Sequence, residues 1–432
     1  MLLKLTDNTK VSVESVESIP VIHELLNKDI SDLYKENFLI FPPDIKESSD
    51  LESENCIFEQ RRGQVWTNNI AGIFRHTNDE VRIHSRFSST KAEASDFFLR
   101  YLLQKVLNYN VVSSDLNLNS ELLYYDLLAY LFPFYLNRAM AKGLYKEYIH
   151  RKYNDMNLKG SLDIGRHVKD NLPFIGKVAY NTREFSHDNP VLQLVRHTIE
   201  KLKHKKLIYA NDDCFKQNVK MIEEATPQYF ERNRQKIVQE NKLQRLRHSY
   251  FQEYYELQDL CLKILLDEKV GFGNQTEKVH GIIIDIAWLW EEYLNLLLKS
   301  NFTHSENKTK KNPIYFYQGQ KSPRYPDFYS EKIILDAKYK RLDKNRRGGI
   351  SREDLYQITS YLHVKKADFA GLIYPSQSSQ GYEHIGELEG FGGSIFKIGV
   401  EIPQEVDNYE EFSQKMRTSE DRLLTELGEI CS

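Results

Sequence analysis

The run Ile333-Ile334-Leu335-Asp336-Ala337-Lys338 constrains this chain of 432 residues more than any other segment. Ile333, Ile334 and Leu335 favour a strand, and the period of two along a strand turns alternate side chains to opposite faces. Asp336 and Lys338 then share one face, while Leu335 and Ala337 point the other way. Nine residues upstream lies Asp327, in Arg-Tyr-Pro-Asp-Phe, where Pro326 fixes its own backbone and biases Tyr325 towards extended geometry. Two carboxylates and an ammonium gathered in this way can hold a divalent cation and set a positive charge beside a phosphate. Magnesium prefers oxygen ligands and keeps several waters, so it suits such a set without any histidine. An isolated Asp-x-Lys on a strand is otherwise a surface ion pair, and the metal reading needs support from the rest of the chain.

Two helical segments offer it. Residues 283–300 read as a helix at about 100° per residue, with Ile283, Ala287, Trp290, Leu294, Leu297 and Leu298 on its apolar face. Glu291 falls on the margin of that face and can reach inward to a metal, or else pair with a neighbouring base. Glu292 falls on the opposite, solvated side with Asp285 and Lys299. Residues 351–364 read as a second helix with Ser351 as N-cap and Asp354 at the reciprocal position. Gln357 and Tyr361, four apart, share a face of it. At the mouth of the strand they can hydrogen-bond a DNA backbone or fix Lys338, and elsewhere they are ordinary boundary polar residues.

Glu291, Pro326-Asp327, Asp336-Ala337-Lys338 and Gln357-x-x-x-Tyr361, in that order, resemble the PD-(D/E)xK nuclease superfamily. Within it the chain is similar to the McrC family, the nuclease subunit of McrBC-type restriction systems. The segments that carry the likeness are Trp-Glu-Glu-Tyr-Leu at 290–294, Arg-Tyr-Pro-Asp-Phe at 324–328, Leu-Asp-Ala-Lys-Tyr-Lys at 335–340 and Asp-Leu-Tyr-Gln-Ile-Thr-Ser-Tyr at 354–361. Upstream, Leu-Lys-Gly-Ser-Leu-Asp at 158–163 and Arg-Glu-Phe-Ser-His-Asp-Asn-Pro-Val-Leu at 183–192 extend it. The resemblance implies a Mg²⁺-dependent DNA endonuclease in which Asp327, Asp336 and Glu291 ligate metal, Lys338 orients the nucleophile or stabilises the phosphorane, and Gln357 and Tyr361 support the substrate. It also implies a partner, an McrB-like AAA+ ring that hydrolyses GTP, recognises double-stranded DNA and is stimulated by this chain. A non-catalytic adaptor of such a ring, and a RecB-like repair nuclease, are the alternatives. Arg183, Asp188 and Asn189 lie in the upstream match, although Asp188-Asn189-Pro190 also reads as a helix start.

The chain has no Gly-x-x-x-x-Gly-Lys-Ser/Thr phosphate loop of its own, and Gly390-Phe391-Gly392-Gly393 reads as a turn between strands. Lys and Arg number 59 against 62 acids, a formal charge of −3, which is not that of a chain that coats DNA by bulk electrostatics. A local group, Lys338, Lys340, Arg341, Lys344, Arg346 and Arg347, can instead meet phosphates or form a solvated charge run. There is neither a Gly-x-Ser-x-Gly elbow nor a His-Glu-x-x-His, and the 13 histidines, His187 and His363 among them, are dispersed. The 4 cysteines are scattered, as free thiols of a cytoplasmic protein would be. The most apolar stretch, 127–137, is far shorter than a membrane span.

The expected fold class is α+β and multidomain. Residues 1–95 form a β-rich module, with strands at 64–67 and 70–75 and a return at 81–84. Residues 96–270 are mainly helical, at 92–108, 120–150, 190–206 and 214–268, with a projecting hairpin over 158–185, and the resemblance makes this middle region the expected partner-binding one. Residues 271–276 read as a linker, and 271–432 as an α/β PD-(D/E)xK domain.

Overall fold

The computed structural model of the chain describes residues 2–16, 19–33, 37–42, 56–76, 79–88, 96–107, 109–110, 120–204, 209–210, 212–266, 279–307, 310–342, 349–379 and 381–431. The expected linker at 271–276 lies outside them. The fold is α+β with several sheets, and the chain divides into two compact units, Met1–Val106 with Gln275–Ser432, and Leu107–Asn274. The first and last segments of the sequence division thus share one unit.

The first sheet of that unit contains β1 (Leu2–Thr6), β2 (Asn37–Phe41), β3 (Ile70–His76), β4 (Asp79–His84) and β5 (His280–Asp285), in the order β1-β4-β3-β5-β2. The sequence places residues 283–284 in a helix, but Ile282, Ile283 and Ile284 pair with Ile73, Gly72 and Ala71 on one side and with Leu39, Ile40 and Phe41 on the other. A continuous apolar run fits a helix or a strand buried on both faces, and only these distant partners decide between them. Asp285, read as a solvated helical residue, is the N-cap: its Oδ1 accepts the Trp288 N–H at 3.0 Å, so the helix begins at Ile286. Glycine is required where β3 and β5 approach each other. A Cβ on Gly72 would lie 2.1 Å from the Ile282 carbonyl oxygen, and one on Gly281 2.3 Å from that of Ile73.

After α1 (Phe97–Leu107) of the N-terminal segment, the chain re-enters this unit through β5 and continues into α2 (Ile286–Leu298), β6 (Thr303–His304), β7 (Phe328–Tyr329), β8 (Ile333–Ala337), α3 (Arg352–Lys365), β9 (Phe369–Ser376), β10 (Gly381–Glu387), β11 (Ser394–Glu401) and α4 (Tyr409–Cys431). The second sheet runs β6-β7-β8-β9-β11-β10. Its centre, β8, β9 and β11, is parallel, and α3 supplies the crossover that parallel neighbours require. Ile334, Leu372, Tyr374 and Ile395 pack against Ile358, Tyr361 and Leu362 of α3. Each fully buried side chain of this size contributes roughly 1.5–3 kcal/mol. Gly390–Gly393 does form the turn between β10 and β11. On α4, the buried Glu420 accepts from Tyr101 of α1 at 2.7 Å and Tyr293 of α2 at 2.9 Å, fastening three helices together.

A buried polar network ties the two sheets of this unit. Asp7, just past β1, accepts the Arg86 N–H at 2.5 Å and pairs with its guanidinium at 3.0 Å. That guanidinium lies 4.6 Å from the Tyr339 ring centroid and donates to the Tyr339 carbonyl at 3.2 Å. The Tyr339 hydroxyl meets Ser85 Oγ at 2.7 Å, and Arg341 donates to the Arg86 carbonyl at 2.6 Å.

The second unit carries helices at Ser120–Met140, Pro190–His204, Asp213–Ala225, Arg234–Leu243 and Gln252–Leu266. The helix expected over 120–150 ends at Met140, because Gly143 takes a φ of +85° and a strand, Glu147–Asp155, follows. That strand pairs antiparallel with Val178–Ser186 from Glu147↔Ser186 to Asp155↔Val178, so the hairpin begins before residue 158. Its tip carries the exposed apolar residues Met156, Leu158, Ile164, Leu172, Phe174 and Ile175. Asn189 Oδ1 caps the helix beginning at Pro190 by accepting the Leu192 N–H at 3.0 Å. Asp188 accepts from Gln193 at 2.5 Å and from the Gln228 N–H at 3.1 Å, while Arg183 lies over the Tyr148 ring. Among the described residues no helix is long and apolar enough to cross a membrane.

The buried network predicts a pH effect. Burial, opposed by Arg86, pushes the Asp7 carboxyl up to about 7. Its folded pKa lies above the unfolded value near 3.9, so the folded state holds the proton more tightly. Its contribution to stability is therefore largest below about pH 4, is lost as pH rises through about 7, and then levels off. Relative to the wild type, Asp7→Asn should become more stable by roughly 2–3 kcal/mol between pH 5 and pH 8. Urea unfolding of both proteins at the two pH values measures this, and a difference that does not change with pH contradicts it.

Candidate functional site

The site forms at the carboxyl end of β8, where open sheets with parallel strands commonly place their chemistry. Asp336, two residues on from Ile334, shares its α3-facing side and is only 2% exposed. The β7-β8 turn brings Asp327 back beside it, and Asp327 Oδ2 accepts the Ala337 N–H at 2.6 Å. Lys338 Nζ lies 2.5 Å from Asp336 Oδ2 and donates to Gln357 Oε1 at 3.1 Å. Gln357 Nε2 in turn donates to the Tyr361 hydroxyl at 3.2 Å. Five of the six residues singled out in the sequence therefore form one connected group.

Burial, and after it the charge of Asp336, push the Asp327 carboxyl up to about 7, against the pull of Lys338, the Ala337 N–H and His304. Burial works against the Lys338 ammonium, but Asp336, Asp327 and Asp354 outweigh it and hold its pKa above the ordinary lysine value. Ser351 caps α3 as expected, accepting the Asp354 N–H at 3.1 Å. The Asp354 carboxylate does not close the reciprocal cap; it accepts from Lys340 at 3.0 and 3.1 Å.

The sixth residue, Glu291, stands apart. Its Oε1 lies 3.8 Å from Nε2 of His304, and Oε1 of Glu292 lies 3.7 Å from the same nitrogen. Glu292 is thus not on a solvated side: its side chain is 25% exposed against 30% for Glu291. His304 sits between two neighbours about 100° apart on the helix, and both reach it. No local pattern points to His304, which lies in a two-residue strand and owes its place to pairing with Phe328.

Among the described residues no three His, Cys, Asp or Glu side chains converge closely enough to ligate one ion. The aspartate pair nonetheless suits magnesium, which takes one or two carboxylates and fills its other positions with water and substrate phosphate. Asp336 Oδ2 is buried and receives no hydrogen bond of good geometry; its close neighbour is a cation, the Lys338 ammonium. Of the expected basic group, Lys340 is engaged by Asp354 and Arg341 by the Arg86 carbonyl. Lys344, Arg346 and Arg347 lie outside the described residues. His187 meets the Tyr145 carbonyl at 3.2 Å, and His363 packs on Phe391.

The family described as McrBC 5-methylcytosine restriction system component matches residues 65–375. The chain belongs to this family. Every McrC-like segment read in the sequence falls within the matched residues. Among solved structures, the chain is similar to a refined half-complex from a tetradecameric assembly of Thermococcus gammatolerans McrB AAA+ hexamers with bound McrC, at 15% identity over 97% of this chain and 99% of that one, with a TM-score of 0.47. It is also similar to the T. gammatolerans McrBC complex, at 13% identity over 69% of this chain and 87% of that one, with a TM-score of 0.31. No curated protein matches the chain.

The Lys338–Gln357 contact is testable by a double-mutant cycle. Lys338→Met and Gln357→Leu, singly and together, should give a coupling of about 1–2 kcal/mol in urea unfolding, since the acceptor meets a charged donor. Additive effects would show that Gln357 does not hold the lysine.

Proposed function

We propose that this chain is the DNA-cleaving subunit of a GTP-dependent, modification-dependent restriction complex, with a PD-(D/E)xK nuclease site in its C-terminal part. The observation that carries this reading is the buried Asp336 carboxylate, with Asp327 beside it and the Lys338 ammonium 2.5 Å away. Membership of the McrBC family supports it. Asp327 and Asp336 would hold Mg²⁺. The ion would polarise the scissile phosphate and lower the pKa of an attacking water.

The chain's own residues supply the rest. Asp327 is the carboxyl that must release its proton for both aspartates to face a dication, and burial makes it the one that retains a proton near neutral pH. Lys338 stays charged at any working pH, so it can orient the nucleophile or offset charge that develops on the phosphate. Gln357, fixed by Tyr361, keeps the lysine head in place. Glu291 reaches this group through His304.

GTP would bind the partner, an McrB-like AAA+ ring, and double-stranded DNA would be the substrate. The hairpin of the second unit is the proposed docking element, because its tip exposes Phe174, Ile175, Leu172 and Ile164, and exposed apolar surface of this kind marks interaction sites.

With the partner ring, GTP, Mg²⁺ and methylated DNA, Asp336→Ala and Lys338→Ala should each lower cleavage at least about 10²-fold. Stimulation of the partner's GTPase should stay within about twofold of wild type, since the proposed docking hairpin is untouched. Cleavage at the wild-type rate by either variant contradicts the site. A wild-type chain that stimulates the ring but never cuts would instead be an adaptor.

A further inference from the structure

Among the described residues His304 is an imidazole joined to the aspartate group, and its two nitrogens face different surroundings. A carbonyl oxygen can only accept, so the 2.8 Å contact between Nδ1 and the Asp327 carbonyl places the proton on Nδ1. The Ser305 N–H donates to the same carbonyl at 3.1 Å, while the Asp327 carboxylate is fixed at its other end by the Ala337 N–H. The ring stacks on Phe328, the residue after Asp327, with centroids 5.1 Å apart. Its Nε2 is buried without a hydrogen bond and faces Glu291 and Glu292.

A loop carbonyl needs one donor, which Ser305 already provides, and phenylalanine would stack on Phe328 equally well. Neither task calls for a buried imidazole between two acids. What this ring adds is a rigid link from α2 to the backbone of Asp327. We propose that His304 is a positioning residue: its Nδ1–H sets the Asp327 backbone so that the carboxylate faces Asp336, and Glu291 and Glu292 brace the ring from behind. The acids of α2 then act on the site through His304 rather than as ligands. This inference rests on the reading of Asp327 and Asp336 as metal ligands.

Asparagine at 304 keeps a donor near the Nδ1 position and loses Nε2, whereas glutamine carries its amide towards the Nε2 position and loses the bond to Asp327. The full chain without its partner, titrated with Mn²⁺ in a calorimeter, separates the two. Groups that orient a ligand commonly change metal affinity about 10–100-fold. His304→Gln and His304→Phe should weaken Mn²⁺ binding at least about 10-fold, and His304→Asn should restore it to within about threefold of wild type. Near-ultraviolet circular dichroism in EDTA checks that each variant is folded; should His304→Phe fail to fold, the Gln and Asn pair carries the comparison. Wild-type affinity in the Gln variant, or equal loss in the Gln and Asn variants, overturns the proposal. Asp336→Asn serves as the reference. If it binds Mn²⁺ as the wild type does, the metal-site reading falls; if it abolishes binding while His304→Gln does not weaken it, only the role of His304 falls.

Discussion

Six residues, Asp336 to Arg341, leave the end of β8 and turn through a hydrogen bond from the Lys340 N–H to the Lys338 carbonyl, and the arrangement of the site depends on their being held from two directions. Asp336 and Lys338 turn towards α3, where Gln357 receives the lysine. Tyr339 turns the other way, under the Arg86 guanidinium and against Ser85. Lys340 returns to Asp354 on α3, and Arg341 crosses back to the Arg86 carbonyl. Side-chain contacts thus fasten one side of this short segment to the crossover helix and the other to residues that follow the N-terminal strands. The N-terminal strands are in this sense part of the support of the site.

Electrostatics at the centre follow from the same crowding. Two aspartates brought together in a poorly hydrated place cannot both ionise cheaply, so Asp327 is driven up to about 7. The lysine beside them is stabilised as a cation for the complementary reason. Strained charge of this kind is characteristic of sites that bind an ion or perform proton chemistry. The tidy Glu420 knot, where one buried carboxylate accepts two tyrosine hydroxyls, shows how a purely structural carboxylate is satisfied in this fold. Asp336 is held differently, with an oxygen facing a cation and no hydrogen bond of good geometry.

Local pattern made the core of the site legible. Period two set Asp336 and Lys338 on one face, the four-residue spacing put Gln357 with Tyr361, and Ser351 announced the start of α3. Asn189-Pro190 likewise marked a helix start. What local pattern missed was decided by distant partners. Ile283 and Ile284 read as helix because nothing nearby reveals that two strands from the N-terminal segment flank them. His304 was invisible because a two-residue strand has no period to detect. Glu292 was placed on the wrong side because a helical wheel shows directions, and not what stands between two of them.

Every role proposed for this site requires that Asp327 and Asp336 form one cation site with Lys338 as its neighbour. Crystals of the full chain soaked in Mn²⁺ and measured at the manganese absorption edge test it most directly. An anomalous peak is expected within ligand distance, about 2.0–2.3 Å, of both carboxylates, with Lys338 Nζ withdrawn from Asp336 Oδ2. Saturating Mn²⁺ that leaves this position empty, with the Lys338–Asp336 contact intact, would contradict it.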